Sequence, residues 1–300
     1  FIKNYYLLLF HNINFEIKIS FMIFNKLLLL IFLINLNYLG LLAQLKNHLL
    51  PVNPELIEYY NNIHKTQKKA AIINNQPTGY IPPYVQLPEY YISRNLMENQ
   101  SLAVGLPSKF DLRDYNLVSS VKNQGSGNYG GNCWAFSSIG SIESCWMNIL
   151  TSLNANDLSE HNMATCHGYS WKFGEGGNEF FPVAYLSKLK GPVKETQVPY
   201  NTQDTATHHC TSSYTPVAYF PESRWIYNNP ILTKKMIMDY GAVSTNIHWD
   251  NVYYNSSIAS FYSDDKTGPN HAILLVGWDD DFETQHGKGA WIAKNSWGTE

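Results

Sequence analysis

Residues 121–137 read VKNQGSGNYGGNCWAFS, and the rest of the chain is organised around this stretch. Cys133 stands directly before an apolar pattern that recurs every three or four residues: Ala135, Ile139, Ile142, Trp146 and Ile149. This spacing predicts a helix that begins at the cysteine and packs one face into a core. At roughly 100° per residue, the cysteine falls on the opposite side of the helix from that face, so we expect its thiol to point outward.

A thiol at a helix N-terminus faces the positive end of the helix dipole, which stabilises the thiolate. We therefore predict that the pKa of Cys133 lies below the ~8.5 of a free thiol and that Cys133 is a nucleophile. A nucleophilic cysteine needs a base. His271 in GPNHAILLVGW and Asn295 in WIAKNSWG are the candidates for a base and for a residue that orients it.

Four motifs in this order resemble the papain-like cysteine proteases. They are Gln124, the run Cys133-Trp134-Ala135-Phe136, the run Asn270-His271-Ala272, and the run Lys294-Asn295-Ser296-Trp297-Gly298. The resemblance covers residues 106–300 and implies an α+β fold of two lobes. One lobe is helical, the other is rich in β-strands, and the active-site cleft lies between them. Details of the motifs resemble a bacterial or archaeal extracellular branch of the family.

The resemblance implies a secreted cysteine endopeptidase that hydrolyses peptide bonds through an acyl-enzyme intermediate and needs no cofactor or metal. Cys133 would attack the peptide carbonyl, and His271 would take the thiol proton and pass one to the leaving amine. Asn295 would orient the imidazole ring. Gln124 and the backbone N–H of Cys133 would stabilise the oxyanion.

Substrate contacts are implied for three further residues. Gly176 and Gly177 match the place where the family lays substrate backbone against enzyme backbone, which favours residues without a Cβ. Trp297 matches an aromatic residue that shields the His–Asn pair from water. Asn246 and Glu179 fall, by a looser alignment, near the pocket for the residue two positions before the cleaved bond.

The remaining cysteines leave alternatives open. Cys166 and Cys210 match a family disulfide, and a secreted protein permits one. They could instead bind zinc together with neighbouring imidazoles, or stay free; those imidazoles belong to His167, His208 and His209. Cys145 is left over, and we expect a buried free thiol.

Two features depart from the family pattern. The interval between Gln124 and Cys133 is longer than in the family, and the added length is rich in glycine. The positions of a second family disulfide are occupied by Gly130 and Gly174, so that disulfide is missing.

The chain divides into four expected parts. Residues 1–21 are a candidate upstream translated sequence, and residues 22–43 have the charged start and apolar run of a signal peptide. Residues 44–105 are a propeptide or a linker. Residues 106–300 form the peptidase domain, which we expect to be incomplete at its C-terminus, with a surface-binding module as a candidate in the missing region.

Composition fits a globular protein, with 44% hydrophobic and 14% aromatic residues. The net charge of −3 gives no reason to expect nucleic acid as a partner. We expect protein or peptide substrates and no stable membrane insertion after signal cleavage. The expected location is extracellular or at the cell surface, or a lysosome-like compartment in a eukaryote. Two rival functions are a catalytically silent binding protein and a transpeptidase.

Overall fold

The protein is represented by a computed structural model, and the description is confined to part of the chain. The residues described are 53–66, 72–73, 76–85, 105–150, 157–189, 191–203, 209–210, 213–220, 222–226, 229–284 and 286–299. They belong to one compact unit, Val52–Glu300. The expected upstream sequence and signal peptide, residues 1–43, lie outside the described residues.

Five α-helices are described: α1 Pro54–Thr66, α2 Cys133–Leu150, α3 Glu160–Cys166, α4 Phe180–Ser187 and α5 Pro230–Tyr240. Helix α2 begins at Cys133, as the apolar spacing predicts. Ser159 caps α3 because its side chain accepts a hydrogen bond from the backbone N–H of Asn162. No helix among the described residues is both long and apolar enough to cross a membrane.

Eight strands are described: β1 Ile72–Ile73, β2 Gln76–Pro77, β3 Lys109–Asp111, β4 Val243–Ile247, β5 Tyr254–Asn255, β6 Ser260–Phe261, β7 His271–Thr284 and β8 Gly287–Lys294. Strand β7 is the axis of a four-stranded antiparallel sheet that also contains β3, β4 and β8. Its first residues pair with β4, so that Ile247 lies opposite His271. The sheet therefore fixes the position of His271 at the start of its longest strand.

Two cores correspond to the two predicted lobes. The first forms around α2, α3 and α4 and includes Ile139, Met163 and Phe181, which are all fully buried. The second forms around β7 and includes Ile237 from α5 and Trp278 from the sheet. Contacts between α2 and β7 join the helical half to the β half. The expected α+β fold is confirmed.

Strands β7 and β8 continue past Trp278 as the polar arms of a long hairpin, in which Glu283 pairs with Lys288. Polar residues are tolerated there because most of these side chains are exposed. The prediction that Ile149 packs into the core is wrong, because this residue near the end of α2 is 60% exposed.

Residues 76–85 run through the space between the two halves. The backbone N–H of Tyr80 donates to the carbonyl of Asn270 on one side (2.9 Å), and the N–H of Ile81 donates to the carbonyl of Gly177 on the other (2.9 Å). We call residues 76–85 the cleft segment. It belongs to the region 44–105 that the sequence assigns to a propeptide or a linker.

Candidate active site

Cys133 lies at the first position of α2 and is fully buried. Its Sγ accepts a hydrogen bond from the backbone N–H of Ala272 (3.4 Å) and contacts the carbonyl oxygen of Thr78 in the cleft segment. The expectation that the thiol points to solvent is wrong in this structure, because the cleft segment occupies the space in front of it.

His271 lies beside the cysteine and is also fully buried. Its Nε2 lies 2.9 Å from Oδ1 of Asn295. An amide oxygen can only accept, so this contact assigns the ring proton to Nε2. The other ring nitrogen, Nδ1, then faces the cleft, where it lies 3.4 Å from the carbonyl oxygen of Thr78.

Two tryptophans cover this histidine. Trp297 stacks on the His271 ring, with centroids 4.6 Å apart and planes 21° apart. Trp249 meets Trp297 edge-on at 4.9 Å. This second tryptophan is held by Asn270, whose Oδ1 accepts a hydrogen bond from the Trp249 backbone N–H (2.7 Å). The sequence pointed to Trp297 but not to Trp249.

Gln124 is fully buried and held at both ends of its amide. Its Oε1 accepts a hydrogen bond from Oγ of Ser296 (2.5 Å). Its Nε2 donates to the carbonyl oxygens of Pro77 (2.8 Å) and Gly130 (2.5 Å). The side-chain N–H2 of Gln124 thus donates both to the cleft segment and to the loop that precedes Cys133.

Asn132 was missed by the sequence analysis, although it stands directly before the nucleophile. Its Nδ2 donates to the hydroxyl of Tyr200 (2.8 Å), and that hydroxyl donates to the backbone carbonyl of Gln124 (2.9 Å). Its Oδ1 accepts from the N–H of Gly174 (3.1 Å). This polar link joins the two segments that the missing family disulfide would join.

The glycine pair contacts the cleft segment through backbone atoms. The N–H of Gly177 donates to the carbonyl of Gly79 (2.9 Å). Gly176 has φ +106, and a Cβ there would come within 2.7 Å of the same Gly79 oxygen. Side chains are excluded here by the close approach of the two backbones.

Burial determines the protonation states of Cys133 and His271 in this structure. Burial raises the pKa of the Cys133 thiol to about 12 and lowers the pKa of His271 to about 4. Both groups are therefore neutral at pH 7. The prediction of a lowered thiol pKa is wrong for this state, because desolvation under the cleft segment outweighs the helix dipole.

Cys166 and Cys210 form a disulfide with a Cα–Cα distance of 4.7 Å. The alternatives of a zinc site or free thiols at these two residues are therefore wrong. His208, which was part of the zinc alternative, lies outside the described residues. Cys145 is free but only half-buried, so the expectation of a buried thiol is too strong.

Residues 106–300 match the profile of the papain family of cysteine proteases. The chain belongs to this family. It is 27% identical over 207 residues to cathepsin J of Mus musculus, a match that spans 66% of this chain and 59% of cathepsin J. The chain thus spans about three fifths of the length of that curated relative.

Solved structures share the fold. The cysteine protease and lectin-like domains of Cwp84, a surface layer associated protein of Clostridium difficile, superpose with a TM-score of 0.62 at 22% identity, covering 83% of this chain and 54% of that one. A variant of Cwp84 after propeptide cleavage gives a TM-score of 0.52 at 27% identity, covering 64% and 51%. The similarity at 22% identity shows a shared fold only.

Proposed function

We propose that this chain carries a cysteine endopeptidase that is made as an inactive precursor and hydrolyses peptide bonds through Cys133. The observation that carries the proposal is a peptide segment laid across a paired cysteine and histidine. The thiol of Cys133, the ring of His271 and the amide of Gln124 all contact the backbone of that segment.

The proposed reaction begins when Nδ1 of His271 takes the thiol proton and Sγ of Cys133 attacks the carbonyl carbon of a substrate. The C–N bond then breaks, and the leaving amine takes the proton from the imidazole. Water, activated by the same ring nitrogen, hydrolyses the thioester and returns the thiol. Asn295 keeps the proton on Nε2 throughout, which leaves Nδ1 free for these transfers.

Charge develops on the carbonyl oxygen in each tetrahedral step. Nε2 of Gln124 and the backbone N–H of Cys133 are the donors proposed to stabilise it. The contact of 2.8 Å between the Gln124 amide and the carbonyl of Pro77 supports this role, because Pro77 belongs to the segment that lies in the cleft.

The cleft segment is proposed to inhibit the enzyme until it is removed. The carbonyl of Thr78 presents its oxygen, not its carbon, to the thiol and the imidazole. The amide of Gln124 is meanwhile used by the neighbouring Pro77 carbonyl. The oxygen at the thiol and the oxygen at the Gln124 donor thus belong to two different peptide groups, and we propose that the segment therefore binds without being cleaved. These contacts favour a propeptide over a linker.

Export is proposed from the signal-like residues 22–43, and the disulfide fits an oxidising compartment. We expect the exported form to begin at or near Gln44 and the active form near Leu106. N-terminal sequencing of both purified forms measures this. Full activity in a protein that still begins near Gln44 would contradict the inhibitory role of the cleft segment.

The proposed activity is tested with the protein after the region before Leu106 has been removed, using a mixture of fluorogenic peptides. Cys133→Ala should abolish cleavage, because no other group replaces the attacking sulfur, whereas the matched variant Cys145→Ala should retain it. Mass analysis in the presence of an added amine should give hydrolysed products. Unchanged cleavage by Cys133→Ala would overturn the proposal, and amine-linked products would favour a transpeptidase.

A further inference from the structure

The side chain of Tyr80 fills a pocket beside the glycine pair. Tyr80 lies opposite Gly177 in the strand pairing and is only 6% exposed. Its neighbours Gly79 and Ile81 make the two backbone hydrogen bonds to Gly177, so its position is fixed on both sides. Any peptide that uses the same backbone groups of Gly177 places a side chain near this pocket.

A carboxylate lies in this pocket. The hydroxyl of Tyr80 donates to Oε2 of Glu179 at 3.1 Å. Glu179 directly precedes α4, yet its side chain makes no hydrogen bond to the first turn of that helix. The side chain is turned instead toward the cavity that Tyr80 also lines.

The opposite half of the molecule supports this carboxylate. Asn246 on β4 gives a side-chain hydrogen bond to Glu179 and lines the same cavity. In the part of the chain that the structure describes, no salt bridge to Glu179 is found. Among the described residues, the donors to this carboxylate are thus the side chains of Tyr80 and Asn246 and the backbone N–H of Glu179 itself.

A half-buried carboxylate that an occupant covers discriminates between the side chains that can enter such a pocket. Leaving a buried acceptor without its donor costs the full desolvation of that group, so a side chain that ends in a hydroxyl is favoured over one that ends in a C–H. A site built to bind a hydroxyl rejects the analogue that lacks it more strongly than an apolar pocket rejects a small change of size.

We propose that Glu179, supported by Asn246, makes the pocket beside Gly177 selective for a tyrosine side chain in the substrate. This inference rests on the proposed peptidase function and names the substrate class of the same site. Tyr80 of the cleft segment occupies the pocket as a tyrosine of the substrate does.

The first test compares two fluorogenic peptides that differ only in tyrosine or phenylalanine two residues before the cleaved bond. The processed full-length protein should cleave the tyrosine peptide with a kcat/KM at least about 10-fold higher, since a hydrogen bond to a charged group is lost with phenylalanine. Glu179→Leu should bring the ratio of the two values close to one. Glu179→Gln, which keeps an oxygen acceptor, should retain part of the preference.

The kcat/KM for the tyrosine peptide is divided by that for the phenylalanine peptide within each variant. A general loss of activity therefore cancels from this ratio. Glu175→Gln is the matched control, because its carboxylate accepts from the backbone N–H of Lys172 and does not line the pocket. The ratio for this control should equal that of the wild type.

A second measurement covers the case in which Glu179→Leu folds poorly. A synthetic peptide of residues 76–85 should inhibit the processed enzyme, and its Tyr80→Phe version should do so about 10-fold more weakly. With Glu179→Gln this difference should shrink. Equal inhibition by both peptides, or equal cleavage of both substrates by the wild type, overturns the inference. Absence of cleavage of every peptide by the processed protein contradicts the proposed function instead.

Discussion

Helix α2 buries two ionisable side chains, Cys133 and Glu143, and their surroundings differ. Cys133 in the first turn is 0% exposed and neutral, covered by the cleft segment. Glu143, further along the same helix, is 1% exposed and belongs to a cluster of charged side chains. The same helix thus buries Cys133 as a neutral thiol and Glu143 in contact with the cation of Lys122.

Lys122 is the centre of the charged cluster. Its Nζ lies 2.7 Å from Glu160 Oε1, 2.7 Å from Asp157 Oδ1 and 3.4 Å from Glu143 Oε1. Burial raises the pKa of Glu160, and Lys122 at 2.7 Å opposes that shift by favouring the carboxylate. All four residues lie within the segment that matches the family, so this cluster stays together when the cleft segment is removed.

The cleft segment, which covers Cys133, lies outside the residues that match the family. Thr78 contacts the thiol and His271, and its removal would admit water to both. Under the proposed processing, the burial of the neutral pair would therefore be lost, whereas the charged cluster lies wholly within the residues that match the family. The catalytic charge would appear only after processing, because water and the helix dipole can then stabilise the thiolate.

The charged cluster gives the largest expected effect on stability. Lys122→Met leaves buried carboxylates without their cation and should lower the free energy of unfolding by about 3–5 kcal/mol. Urea unfolding of the full-length protein in the Cys133→Ala background, where self-cleavage is blocked, measures this change.

A matched lysine sharpens that result. Lys109→Met removes a surface salt bridge to Asp279 at 2.8 Å, and it should cost much less stability than Lys122→Met, because water screens an exposed ion pair. Equal losses from the two lysine variants would show that burial of the charged cluster has no special weight.

The site around Cys133, at the start of α2, gives a smaller expected effect, and that effect is on the reaction rate. Gln124→Ala removes a proposed oxyanion donor and should lower kcat by 10²–10³, about 3 kcal/mol of barrier, with little change in KM. Steady-state kinetics with a processed sample measures both constants. A variant that raises KM and leaves kcat unchanged would place Gln124 in ground-state binding instead.

Much of the site follows from local sequence. The apolar spacing after Cys133 predicts α2, and the motif order predicts the pairing of His271 with Asn295, which the structure places 2.9 Å apart. The predicted disulfide between Cys166 and Cys210 is also present. The helix follows from periodicity, whereas the His271–Asn295 pairing and the disulfide follow from the resemblance of their motifs and positions to the family.

The remaining features depend on contacts between distant parts of the chain. Residues 76–85 read only as an extended, proline-rich stretch, because their partners are backbone groups of Gly177 and Asn270. The burial of Cys133 could not be predicted without them. The network of Asn132 and Tyr200 was missed for a similar reason, since its hydrogen bonds join residues far apart in sequence.

The most direct test of this account is the pH dependence of iodoacetamide labelling at Cys133, read by mass spectrometry before and after removal of the cleft segment. With the thiol pKa near 12, labelling of the precursor should be slow and should rise about tenfold per pH unit between pH 6 and 9, following the thiolate fraction. After processing, a pKa at or below ~8.5 predicts labelling at pH 7 at least about 1,000-fold faster, levelling off at higher pH. Equal rates and equal pH dependence in the two forms would contradict the claim that the cleft segment keeps Cys133 neutral.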